Sequence, residues 1–155
     1  MEAQAGAKAE AEAVSAEPLA PTVWTRYAIT AVAKPRMTQR DQWAKRPAVA
    51  RYWTYKAKLK AIVATLPEHA HIVFVFPMPA SWSGKKCAAH HMQKHTSRPD
   101  VDNLHKGLLD ALYVEDSFVW DARVTKVWGP AGAIYVRAMA PPELPSPLLV
   151  TGRGA

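Results

Sequence analysis

The sequence predicts one α/β (α+β) domain in which a mixed sheet of about four strands packs with two helices. Two observations carry this. Segments with strand and helix periodicity alternate in the order strand, helix, strand, helix, strand, strand. The chain has 155 residues, 49% of them hydrophobic, enough for one core of ordinary size.

The elements follow in order. Tyr27–Ala33 (YAITAVA) alternates enough for a strand. Lys34–Pro47 is polar, basic and bracketed by prolines, which reads as a loop. From Arg51 to Leu66, the residues Tyr52, Tyr55, Leu59, Ile62, Val63 and Leu66 recur at steps of three and four on one helical face. Pro67 stops that helix. Arg51, Lys56, Lys58 and Lys60 lie off the stripe and read as a solvated face. His71–Pro77 (HIVFVFP) is β-branched and aromatic, a second strand. Pro79–Ser97 reads as a long irregular segment. Asn103–Leu112 is a short helix with Leu104, Leu108, Ala111 and Leu112 inward. Phe118–Trp128 and Ala133–Ala138 are two further strands, separated by the turn signal Gly129-Pro130-Ala131-Gly132. Residues 1–24 form an expected disordered arm rich in Ala and Glu, 25–139 the folded domain, and 140–155 a Pro-rich extended tail.

The formal charge of +7 is unevenly spread. Residues 1–21 hold Glu2, Glu10, Glu12 and Glu17 against Lys8, so the rest of the chain carries +10. A core that basic points to a polyanionic partner, most commonly nucleic acid. No apolar run is long enough for a membrane span, the N-terminus lacks a signal-peptide pattern, and Cys87 is the one cysteine. A cytoplasmic protein without an internal disulfide is expected. The absence of GxxxxGK[ST] and GxGxxG leaves no support for a nucleotide cofactor. Cys87, His90, His91 and His95 lie in one loop without a second ligand pair, a poor pattern for structural zinc.

The informative stretch is Arg98–Lys126 (RPDVDNLHKGLLDALYVEDSFVWDARVTK). It holds six of the nine acids outside the arm: Asp100, Asp102, Asp110, Glu115, Asp116 and Asp121. Pro99 favours an extended lead-in, where Asp100 and Asp102 point the same way. Asp102 then sits where the helix starts, as its N-cap, with Lys106 one turn on. A return along the next strand would bring Asp116 back beside the pair. Clustered carboxylates need a counter-charge, and hard oxygen ligands suit magnesium or manganese. The other reading is structural: Asp102 caps the helix, and Asp102–Lys106 and Lys106–Asp110 are surface pairs. Spacing alone leaves both open.

The block Arg98-Pro99-Asp100-Val101-Asp102-Asn103-Leu104-x-Lys106, then Leu109-Asp110-Ala111-Leu112, then Glu115-Asp116-Ser117, resembles the signature of the RusA family of Holliday junction resolvases. Weaker echoes are Pro77-Met78-Pro79-x-Ser81-Trp82-Ser83 with Lys85-Lys86, and Lys34-Pro35-Arg36. The resemblance implies a homodimeric, Mg2+-dependent endodeoxyribonuclease, with Mn2+ as a substitute, that resolves four-way junctions by paired symmetric nicks. It implies Asp100, Asp102 and Asp116 as metal-binding residues, Lys106 as the catalytic lysine, and a structural role for Asn103. Two departures stand out: only Tyr113-Val114 links Leu112 to the acidic pair, and that pair begins with Glu115 rather than Asp. Two rivals remain, a branched-DNA-binding module that does not cut and a metal nuclease specific for flaps or single strands.

Two basic loops are candidate phosphate contacts: Arg36, Arg40, Lys45 and Arg46 in one, Lys85, Lys86 and Lys94 in the other, with Arg98 beside the acidic block. Of the six tryptophans, Trp53, Trp120 and Trp128 are expected in the core or a dimer interface. Trp43 and Trp82, in basic loops, are expected to pack rather than to stack on bases.

Overall fold

A computed structural model describes residues 23–44 and 46–145. Four strands form one mixed sheet in the order β1-β4-β2-β3, where β1 is Thr25–Tyr27, β2 Ala70–Pro77, β3 Ala122–Gly129 and β4 Ala133–Ala138. β2 runs parallel to β3 and antiparallel to β4, and β1 is antiparallel to β4. Helices α1 (Pro47–Ile62), α2 (Gly84–His90) and α3 (Val101–Leu112) complete the domain. The expected class therefore stands, with one helix more than the sequence indicated. The acidic arm lies almost wholly outside the described residues, as does the tail from residue 146.

Alternation in the strands explains the layering. Ile72 and Phe74 of β2 and Ile134 and Val136 of β4 point to one face. There they meet Tyr52, Tyr55 and Leu59 of α1 and Leu104, Leu108 and Ala111 of α3, which form the main core. Val73, Val75, Val127 and Ala133 form a second, smaller cluster on the opposite face.

Several boundaries differ from those expected, each for a physical reason. The first strand ends at Tyr27 instead of beginning there. Beyond it Ile29 N–H bonds Tyr27 O at 2.9 Å, and Ile29, Val32 and Ala33 pack on the core without pairing in the sheet. Helix α1 starts four residues earlier, because Pro47 occupies the first helical position, where its missing N–H leaves no bond unmade. It stops at Ile62, where Val63 turns extended. The segment 79–97 is not wholly irregular. Ser83 Oγ accepts from Lys86 N–H and starts α2, and Lys94 bridges Val127 antiparallel. That bridge covers the outer edge of β3. The third strand starts at Ala122 rather than Phe118. β3 and β4 are separated only by residues 130–132 yet do not pair, because β2 lies between them. Trp53 and Trp120, at 47% and 56% exposure, lie outside the core.

Candidate active site

The site is built where the chain passes from the β3 edge into α3. Main-chain bonds from Met92 N–H to Trp128 O and from His95 N–H to Lys126 O fasten residues 92–95 along β3. Lys126 Nζ then donates to Ser97 O and Pro99 O, each at 2.5 Å, and so holds the turn that leads into the helix. Asp100, not Asp102, is the N-cap of α3: its carbonyl accepts Leu104 N–H at 3.1 Å. Asp102 lies in the first turn. The helix thus starts earlier than expected, with Asp100 as its last extended residue and Val101 already helical. The Asp100 side chain makes no capping hydrogen bond, so its carboxylate is not engaged with the helix end.

Asp100 and Asp102 line one open cleft of about 500 Å³ together with His95, Ser97, Val124 and Lys126. The N-terminal end of α3 and the Lys126 ammonium supply positive potential beside the two carboxylates. His95 forms part of the wall. It is 6% exposed, with its ring 3.8 Å from that of Trp128 and 5.0 Å from that of Phe76, centroid to centroid. Burial, and then the Lys126 charge, hold its pKa below the usual histidine value.

Lys106 is exposed one turn beyond Asp102. Neither surface pair of the structural reading, with Asp102 or with Asp110, occurs among the described residues; Asp110 pairs instead with Lys34 at 2.6 Å. Segment 32–34 crosses α3 closely enough to make this pair. Lys34 N–H reaches Asn103 O, and a Cβ on Gly107 would lie 2.8 Å from Val32 O.

Asp116 does not line the cleft. It is partly buried in the loop after α3, where its charge acts on His105, opposing the depression of that imidazole's pKa by burial. Glu115 accepts Ser117 N–H at 3.1 Å, which engages its carboxylate in closing the turn. Among the described residues no three His, Cys, Asp or Glu side chains converge closely enough to hold a metal ion. This covers the loop set Cys87, His90, His91 and His95 as well. The donor chemistry of Asp100 and Asp102 nonetheless fits magnesium, which commonly takes one or two carboxylates and completes its shell with water and substrate phosphate.

The basic candidates fall into three states. Arg36, Arg40, Lys85, Lys86, Lys94 and Arg98 are exposed, and Lys86 Nζ lies 4.4 Å over the Trp82 ring. Arg46 is tied down: Nε donates to Asp41 at 2.7 Å and its terminal nitrogen to Arg36 O at 2.7 Å, and this guanidinium holds the Asp41 carboxyl well below the usual range. Lys45 lies outside the described residues. Sequence reasoning missed Lys126, and it did not foresee that Lys34 pairs with Asp110 or that His95 forms the cleft wall. The partners of the two lysines are 27 to 76 residues away in the chain, and spacing carries no signal over such separations. The ring partners of His95 lie on β2 and β3, equally beyond the reach of any local period.

A family model, Endodeoxyribonuclease RusA, matches residues 18–139, which takes in every described strand and helix. No curated protein matches the chain. The match spans well over half the sequence and includes the whole acidic block, so the chain belongs to the RusA family of endodeoxyribonucleases.

Proposed function

We propose that the protein is a magnesium-dependent resolvase of four-way DNA junctions that acts as a homodimer and makes paired symmetric nicks. One observation carries the reading: Asp100 and Asp102 share an open cleft at the positive end of α3, with Lys126 beside them and Lys106 one turn on. In it, Asp100 and Asp102 hold the magnesium and Asp116 approaches from the next loop. A bound magnesium supplies Lewis-acid polarisation of the phosphodiester and activation of water. Lys106, lacking an ion-pair partner among the described residues, offsets charge that builds on the phosphate oxygens. Arg98 and Lys94, in the segment entering the cleft, hold the DNA backbone without reading sequence. An apolar hollow lined by Trp24, Val73, Met92 and Tyr135, on the sheet face away from α1 and α3, supports a second subunit there.

The position of Asp116 outside the cleft lining favours a second reading, a branched-DNA-binding module that does not cut. One gel separates them: cleavage of a synthetic four-way junction with and without magnesium, with Asp102→Asn beside the wild type. Symmetric nicks that need both magnesium and Asp102 support the resolvase. Junction binding in EDTA with no nicks in magnesium or manganese supports the binding module. Flap and single-strand substrates in parallel lanes test for a nuclease of different structural preference.

A further inference from the structure

Between the end of α3 at Leu112 and the start of β3 at Ala122, the chain has no helix or strand. This loop carries Asp116 and bridges a cavity of about 190 Å³ lined by Leu66, His105, Tyr113, Phe118 and Asp121, among others. Within it, the short-range bonds Ser117 N–H to Glu115 Oε1 and Val119 N–H to Asp116 O close local turns. Neither attaches the loop to the rest of the fold.

Both ends of the loop are attached to one structure, the connector between α1 and β2. At the near end Tyr113 Oη accepts Leu66 N–H at 2.9 Å, and Phe118 packs edge-on against the Tyr113 ring at 5.1 Å. At the far end His69 Nδ1 donates to Asp121 Oδ2 at 2.9 Å, and Trp120 packs edge-on against the His69 ring at 5.2 Å. The His69 and Asp121 side chains are 14% and 18% exposed, so solvent screens this pair little. His69 is itself anchored, because its carbonyl accepts Met139 N–H at 2.7 Å. The far attachment combines a hydrogen bond with a ring contact to the connector, whereas the near one is a hydrogen bond from the connector to a Tyr113 ring that Phe118 braces from within the loop. The two flank Asp116 in the sequence, at Tyr113 before it and Asp121 after it.

We infer that the connector is a two-point clasp in which His69 and Tyr113 are positioning residues that set where Asp116 sits relative to the Asp100–Asp102 cleft. This rests on the reading of Asp116 as a cleavage residue. It also accounts for the short Tyr113-Val114 link: a loop held at both ends needs no slack to place its carboxylate. A role confined to stability would lower the unfolding midpoint and leave the nicking rate of the folded protein alone.

The test compares His69→Ala, Tyr113→Phe, His69→Asn and Asp116→Asn with the wild-type chain. The readouts are nicking rate on a four-way junction in magnesium, junction affinity in EDTA, and amide hydrogen exchange over residues 114–121. His69→Ala should slow nicking about tenfold, the scale of one hydrogen bond to a charged group, with affinity unchanged and loop exchange accelerated. Tyr113→Phe removes one hydroxyl from a ring that keeps its packing, so it gives the same split in a protein that folds. His69→Asn carries an amide nitrogen where Nδ1 stood and should restore both rate and protection. Wild-type nicking by His69→Ala and Tyr113→Phe, with Asp116→Asn slow, overturns the clasp alone. Wild-type nicking by Asp116→Asn overturns the site reading and the clasp's role with it. Unchanged loop exchange in both clasp variants overturns the clasp whatever the rates.

Discussion

Lys34 and Asp110, 76 residues apart, meet at 2.6 Å across the outer side of α3. Asp110 is the natural i+4 partner of Lys106, so this contact decides which lysine the helix neutralises. Lys34→Met should free Asp110 to pair with Lys106 and slow nicking about 1.5- to twofold, the scale of an i,i+4 pair. Stability should change by less than about 1 kcal/mol, since the side chains are 34% and 25% exposed. Adding Asp110→Asn should return the rate to normal. A double variant as slow as the single one would show that Lys34 acts on the DNA instead.

Lys126 holds two carbonyls of the turn before Asp100. Lys126→Met should cost about 1–3 kcal/mol in urea denaturation, because the carbonyl partners lose a charged donor. Nicking should fall further than junction affinity does, since the turn that presents Asp100 is loosened while the basic contacts remain. Equal losses in rate and affinity would make Lys126 a simple phosphate contact.

Gly107 lies under the backbone of residues 32–34. A methyl group there meets Val32 O at 2.8 Å and Lys34 N at 3.1 Å, both main-chain atoms that cannot step aside alone. Gly107→Ala should therefore destabilise by about 1–3 kcal/mol even though alanine is the better helix former. At Gly84, in the first turn of α2, a methyl group would meet nothing within 4 Å, and Gly84→Ala should be neutral or stabilising. Comparing the two thermal midpoints checks the sign.

His71, His95 and His105 are all held below the usual histidine value of 6.5, in each case chiefly by burial. Arg123 and Arg137 add to this at His71 and Lys126 at His95, while Asp116 opposes it at His105. Groups that bind protons more readily unfolded than folded make stability rise with pH. Their contribution is intact above about pH 6.5 and is lost as pH falls from there through the lower folded-state values. Urea midpoints should drop between about pH 7.5 and about pH 5.5, and His71→Gln should flatten the drop. A midpoint that rises on acidification would contradict the assignment.

Local pattern determined a good deal of this protein. The β-branched and aromatic run His71–Pro77 made β2 legible, because a strand buried on both faces reads as a continuous apolar run. The stripe Tyr52, Tyr55, Leu59 did the same for α1, because burial of one helix face imposes its period on the residues themselves. The Arg98–Asp116 block pointed to the family, because carboxylate and lysine spacing at a helix start is written in consecutive residues. Only the tertiary structure decided what long-range contacts control. Tyr27 ends a strand instead of starting one: the chain turns at Ile29, and Ile29, Val32 and Ala33 pack on the core formed with α1 and α3 instead of pairing in the sheet. Asp100 rather than Asp102 caps α3, after a turn whose Pro99 carbonyl is held by Lys126, 27 residues on. The loop that carries Asp116 is fastened at both ends to the connector before β2. Each of these depends on a partner that no helical or strand period brings near, so it exists only once the sheet and helices have packed.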